Sequence, residues 1–382
     1  MAILAAIPQR PAAAAPPVVV AAFTGAAVPV FDTATQACDP TDTPDTPARA
    51  FKDAAGIVHL YASNAANRAL TGTSLLAAKR NCTVTMVSPL DAKPAHFAQY
   101  LWLAGFYTQD GRKIAALVHS EYHGDLVPGM CSAASTIAFR SCWYNTITYA
   151  QSTNSGASFV ASAAPDNLVA SVPYQYSRGI DPGPVGYHSP TGIVTSGRFF
   201  YAMINNWPYK AQGYGPCLIR TNNPFAPSSW TAWDGSGFNV QFANPYVQTK
   251  ISNPANFVCA PVGPGALGDV QSLVYHAPSG AYVTTQFTPD ARWGVPGLYL
   301  SASWDLVAWS KPLLVVSAAT LLAGEPAGKW HHDYFSLLDN AATDRSFATI
   351  TNNPMVYYIR HDDNHGPYTR LLSRRPLTLT IR

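Results

Sequence analysis

Three stretches of the chain carry a large aromatic at nearly equal intervals. STNSGASF closes on Phe159, RTNNPFAPSSWTAW closes on Trp233 and SASWDLVAWS carries Trp309, at intervals of 74 and 76 residues. A further step of about 75 residues back from Phe159 falls in AAKRNCTVTMVSP, and one forward from Trp309 falls at the RRPLTLTIR terminus, so five units fill the 382 residues. Self-similarity at a fixed period marks a repeat architecture, in which each unit buries its apolar face only against its neighbours. Each unit also carries a hairpin: ARAFKDAAGIVHLYAS, LAGFYTQDGRKIAALVHS, PTGIVTSGRFFYAMIN, SLVYHAPSGAYVTTQF and ATITNNPMVYYIRH. Their period-2 patterning is the strand signal, and the D-G, S-G and N-P steps are the turns. Four-stranded units repeated radially make a β-propeller. The expectation is therefore an all-β chain: a five-bladed propeller with four antiparallel strands per blade, closed by VVVAAF or AAVPVF pairing with the last blade.

Composition excludes the main competitors. There are 32 Pro and 26 Gly, and only two Glu, Glu121 and Glu325, among 21 acidic residues. With helix-favouring charges so scarce and no long 3.6-residue period, an α-rich fold is excluded. The net charge is +3 with no Lys/Arg run, and LLSRRPLTLTIR alternates like a strand, so nucleic acid is not an expected partner. Pro8, Pro11, Pro16 and Pro17 interrupt the apolar start, and no other apolar run approaches the ~18 residues of a membrane span. Residues 1–30 read as an Ala/Pro-rich segment, an export remnant or closing strand, and 31–382 as a single catalytic propeller domain. The six cysteines lack C-x-x-C spacing, which argues against zinc. An even count in a charge-poor, Tyr-rich chain fits a secreted or periplasmic protein with up to three disulfides, Cys131 and Cys142 being the easiest local pair.

In a propeller the innermost strands converge on one axial mouth, so acids distant in sequence can meet there. Glu121 follows the strand KIAALVHS and sits among His119, His123 and Asp125. That placement suits a general acid, although a loop carboxylate in an ion pair would look the same. Asp45 precedes the first inner strand, Asp269 the fourth and Asp333 the fifth; each could equally be a strand cap. Asp42 and Asp181 are weaker candidates, and Asp53 reads as an ordinary turn residue. Arg49 could hold Asp45 ionised or bind substrate. His123 and His188 are candidate substrate contacts, and Trp102, Trp207 and Trp293 could stack on the apolar faces of sugar rings. No metal-ligating set is assigned. The HDDNHG cluster reads as a solvated turn and Glu325 as a solvated loop residue.

STNSGASF, with Asn154 in the acidic position, resembles the Asp-box S-x-D-x-G-x-T-W of sialidases and related propellers. SASWDLVAWSKPLLV resembles the outer strand of the five-bladed propeller glycoside hydrolases, the arabinanase and xylosidase families. YFSLLDNAATDRSFATITNNPMVYYIRH resembles their closing blade. In place of the usual D-P-[SD]-[VI] start stands DPTDTPDTPARAF, which puts Asp45 where those families carry their base. The resemblance implies a secreted glycoside hydrolase acting on a polysaccharide of arabinofuranose or other pentose type. Glu121 would be the acid, Asp45 the base or nucleophile, and Asp269 or Asp333 a third carboxyl. No cofactor is required, and a structural calcium or sodium could sit on the axis. A sialidase-like enzyme is the first alternative and would need Arg49, Arg198, Arg220 and Arg292 at one mouth. A non-catalytic carbohydrate-binding propeller is the second.

Overall fold

A computed structural model of the chain describes residues 15–132, 141–323, 330–362 and 369–382. Glu325 and the core of HDDNHG lie outside them. Among the described residues the α-helices are single turns, Thr33–Gln36 and Ala318–Leu322, and the rest of the regular structure is almost all strand.

Five antiparallel groups follow one another along the chain. Arg49–Lys52, Val58–Tyr61, Ala66–Gly72 and Lys79–Val87 form the first. Tyr100–Tyr107, Ile114–His123 and Trp143–Ser152 build the second. Val185–His188, Phe199–Trp207, Cys217–Thr221 and Thr231–Ala232 build the third. The fourth is Val270–His276, Ala281–Thr288, Gly297–Ser303 and Leu313–Ser317. The fifth combines Trp330–Leu338, Met355–Asp362 and Arg370–Ile381 with Val19–Phe23 and Val28–Asp32, both paired to the final strand.

Among the described residues the hydrogen-bonded sheets number four, not five. The second and third groups are joined into one ten-stranded sheet by parallel pairing of Val185 with Tyr144 and Gly186 with Asn145. Gly186 makes the join feasible: its φ is +92°, and a Cβ there would stand 2.3 Å from the Asn145 carbonyl oxygen. The hairpin expected in ATITNNPMVYYIRH is also different. Thr349–Ile350 pairs in parallel with Tyr275 and His276 of the fourth group, while Met355–Asp362 pairs with Trp330–Leu338. Asp339 draws the connection away by accepting from the Thr351 amide at 2.7 Å and its hydroxyl at 2.6 Å.

Packing runs round a cycle. Phe51 and Tyr61 meet Leu103, Phe106 and Val118 between the first and second groups. Tyr144 and Ile147 meet Ile204 and Ile219 between the second and third, and Met203 and Leu218 meet Leu273 and Tyr282 between the third and fourth. Val283 and Leu300 meet Phe335 and Leu379, and Tyr357 and Leu372 return to Val58 and Leu60 of the first group. Each group thus buries both faces against its neighbours, as a blade in a ring must.

The turn at STNSGASF serves this packing. Ser152 Oγ accepts from the Gly156 amide at 2.9 Å, Asn154 Oδ1 accepts from the Ser158 amide at 3.0 Å, and Phe159 drops onto Phe51, Tyr61 and Phe106. The same hydroxyl-and-Asx pairing recurs at Ser303/Asp305 above Trp309 and at Thr221/Asn223 above Trp230. In the latter unit the fully buried ring is Trp230; Trp233 is half-buried.

Candidate functional site

Antiparallel order brings the beginning of each inner strand beside the end of the next, so one rim of the molecule gathers side chains from every group. There they line a single cavity of about 880 Å³ that includes Asp45, Glu121, Asp269 and Asp333. Trp102, Trp207 and His188 line it too, as expected, together with Trp143, which sequence reading did not single out.

Asp45 sits in the extended entry to the first inner strand, its amide bonded to the Ser63 carbonyl at 3.1 Å. Its Oδ1 accepts from the Arg370 guanidinium and, at 3.1 Å, from the Tyr334 hydroxyl. Burial nonetheless raises its pKa above the usual carboxyl value, with Arg370 opposing and the nearby Glu121 charge adding to the rise. Tyr334 stays a phenol, pushed well above its ordinary range by burial and by the charges of Asp45 and Asp333.

Strand alternation puts His119, Glu121 and His123 on one face. His123 Nε2 lies 2.9 Å from Glu121 Oε2, and His119 Nε2 lies 3.5 Å from Oε1. His123 thus bonds one carboxyl oxygen of Glu121, while the His119 ring nitrogen is bonded to Asn145 Oδ1 at 3.2 Å. His123 does not line the cavity; it braces Glu121 from behind and packs on Trp143.

Asp269 immediately precedes Val270, whose amide and carbonyl are both held by the Asn205 side chain at 2.8 Å. Asp269 Oδ1 accepts from the Tyr214 hydroxyl at 3.0 Å. Burial raises its pKa against the Tyr214 hydrogen bond and the Arg292 charge, which lower it, and Asp333 adds a smaller rise. Asp333 lies at a bulge where Tyr334 takes φ +60°. The Gln271 amide clamps that bulge, donating to Asp333 Oδ1 while its oxygen accepts from the Phe335 amide at 2.7 Å. Burial raises Asp333 as well.

Beside His119 in the lining, His188 stacks flat on Trp207 with ring centroids 3.8 Å apart. Burial, and then His119, hold its pKa well below the ordinary value, so it is a neutral imidazole. Its Nε2 and the Trp102 Nε1 are buried polar atoms of the lining with no hydrogen-bond partner among the described residues.

The expected role of Arg49 is corrected. Arg49 does not reach Asp45. Only 5 % exposed, its guanidinium donates to the carbonyls of Gln271 (2.7 Å), Ala48 (3.0 Å) and Pro190 (3.4 Å), tying three groups together beneath the floor. Burial lowers its pKa to about 9. Arg370, from the last strand, takes the role assigned to it; nothing local in TRLLSRRP marks that residue, because its partner lies 325 residues away. Trp293 lines a separate groove, described below. The arginine cluster a sialidase would need does not form either, since Arg198 and Arg220 stack on Phe199, outside the cavity.

The weaker candidates have structural partners. Asp42 is paired with Arg80 at 3.3 Å, Asp53 with His59 in its hairpin, and Asp181 faces Ser141. Among the described residues no group of three His, Cys, Asp or Glu side chains is placed to hold a metal ion.

No protein-family model matches the chain, and no curated protein sequence matches it. Solved structures do. A putative exo-β-1,3-galactanase from Bifidobacterium bifidum superposes with TM-score 0.50 at 12% identity, covering 94% of this chain and 96% of that one. The chain shares the propeller fold of that enzyme. The catalytic domain of a Coprinopsis cinerea GH62 α-L-arabinofuranosidase gives TM-score 0.48 at 12% identity over 93% and 97% of the two chains. A GH43_1 enzyme from Xanthomonas citri, complexed with xylotriose, gives 0.48 at 12% over 92% and 89%.

Proposed function

We propose that the chain is a secreted glycoside hydrolase on a five-bladed propeller, cutting a neutral polysaccharide by paired-carboxyl catalysis, with arabinofuranose or another pentose polymer the first candidate. The observation that carries this reading is the gathering of four carboxyl groups from four strand groups with Trp102, Trp143 and Trp207 in one cavity. The five antiparallel groups and their cyclic packing support five blades. Three disulfides, Cys38–Cys82, Cys131–Cys142 and Cys217–Cys259, support an oxidising compartment. No helix among the described residues is long and apolar enough to cross a membrane.

Hydrolysis needs one carboxyl to protonate the leaving oxygen and another to activate water or attack the sugar. Asp45 is the ionised partner, because two donors converge on its Oδ1. Asp269 is the proton donor: burial favours its acid form and outweighs the opposing Tyr214 hydrogen bond and Arg292 charge. Glu121, expected as the acid, has one oxygen bonded to His123 and orients that imidazole. His188 Nε2 and Trp102 Nε1 are placed to bond sugar hydroxyls. Five acidic side chains line the cavity against one arginine, so an anionic glycan would be repelled.

The test is hydrolysis of arabinan, xylan, β-1,3-galactan, fructan and sialylated glycans by wild type, Asp45→Asn and Asp269→Asn. Cleavage of one neutral polymer, reduced about 10²–10⁴-fold by either substitution, is the expected result. No cleavage, with retarded migration in a gel containing a polymer, would make the protein a binding propeller.

A further inference from the structure

Beside the main cavity lies a second, more open groove of about 450 Å³, walled by Tyr214, Arg292 and Trp293 over a floor of prolines and Leu267. The two meet at one hydrogen bond. Tyr214 is a wall of the groove, and its hydroxyl donates to Asp269 Oδ1 at 3.0 Å while accepting from Arg292 Nη1 at 2.8 Å. The backbone closes the remaining distance. Gly268, immediately before Asp269, lies under the groove wall: a Cβ there would stand 2.8 Å from Arg292 Nη1 and 3.4 Å from the Trp293 ring.

The wall is held in place rather than splayed into solvent. Trp293 packs edge-on against Tyr299 with centroids 4.9 Å apart, and its Nε1 donates to the Gly265 carbonyl at 3.1 Å. Arg292 lies over the Tyr214 ring at 4.8 Å. Tyr214 is 39% exposed, an ordered aromatic facing outward beside a lining acid. Two preset aromatic faces and a guanidinium with further donors suit a sugar ring, which offers an apolar face and a rim of hydroxyls.

We infer that this groove is an accessory subsite for a further sugar unit of the same polysaccharide chain bound in the main cavity, with Trp293 as its platform and Arg292 as its hydroxyl donor. The inference rests on the hydrolase reading of the main cavity. It makes the preferred substrate a polymer long enough to pass over Asp269 and leave the cavity at the Tyr214 side.

The probe is affinity gel electrophoresis in linear arabinan, xylan and β-1,3-galactan, run on Asp45→Asn so that the polymer is not consumed. Loss of one stacked ring should weaken retardation by roughly tenfold in Asp45→Asn/Trp293→Ala, the equivalent of about 1.4 kcal/mol. Asp45→Asn/Arg292→Gln, a surface change, guards against a folding defect and should also weaken it. In an otherwise wild-type chain, Trp293→Ala should lower kcat/KM on long oligosaccharides relative to the disaccharide. Retardation unchanged in both double variants, or a loss of kcat/KM equal at all chain lengths, would overturn the subsite. So would absence of retardation by every polymer. Failure of the hydrolase reading shows separately, as wild type that cleaves nothing while Trp293→Ala still changes retardation.

Discussion

Replacing Arg370 with Gln should move the acid limb of the pH–rate profile upward. Asp45 is pulled in two directions: burial raises its pKa, and the Arg370 guanidinium lowers it. Removing the guanidinium leaves burial unopposed, so the carboxylate becomes harder to form and a base that must be ionised is lost at higher pH. A hydrogen bond to a charged group is worth about 1.5–3 kcal/mol. The Asp45 side chain is 31% exposed and that of Arg370 is 15%, so water and salt screen the pair and the low end applies. At 1.36 kcal/mol per pKa unit, the shift is about one unit. The assay is kcat/KM against pH on whichever polymer the wild type cleaves, with circular dichroism to confirm folding. Arg370→Lys keeps the charge without the planar fork and should shift the limb less. An acid limb that stays put or moves down would refute the assignment of Asp45 as the ionised catalytic group.

Stability should respond in the opposite sense to activity at two of the lining acids. Asp269 and Asp333 have pKa values raised by burial, so between the unfolded value near 3.8 and the raised folded value the native state binds more protons. Their contribution to stability is therefore lost as pH rises through that window, and Asp269→Asn or Asp333→Asn should stabilise the protein at pH 7 by about 1 kcal/mol. Urea unfolding at pH 7 checks this, and destabilisation by both would contradict it. Gly156→Ala should cost about 2–4 kcal/mol, because φ is +81° and the new Cβ would stand 2.5 Å from Phe51 Cζ in the aromatic cluster. An unchanged denaturation midpoint would show that the turn yields.

Much of the architecture was legible because it is local. Alternation marked the strands of four hairpins, and the Ser152–Asn154, Thr221–Asn223 and Ser303–Asp305 turns recur because each hydroxyl-and-Asx pair satisfies its own neighbouring amides. The fifth hairpin was misread because Thr349–Ile350 alternates like a hairpin arm yet takes its partner from Tyr275 and His276. Candidate acids at strand entries could likewise be read one by one. Asp45 and Asp269 sit where inner strands begin and Glu121 where a strong strand ends, while Asp333, expected at a strand start, lies at a bulge within Trp330–Leu338.

Which partners those acids would meet lay beyond any local pattern. Arg49, four residues from Asp45, is spent on main-chain carbonyls below the floor, while Arg370 reaches Asp45 from the far end of the chain. Glu121 is bonded by His123 on its own strand face, a contact no spacing rule supplies. Side-chain period, turn chemistry and apolar patterning act over a few residues, so the sequence by itself determined strands, turns and the all-β class. The charge environment of each acid depends on groups brought within a few ångströms by ring closure, and only the tertiary structure decided that.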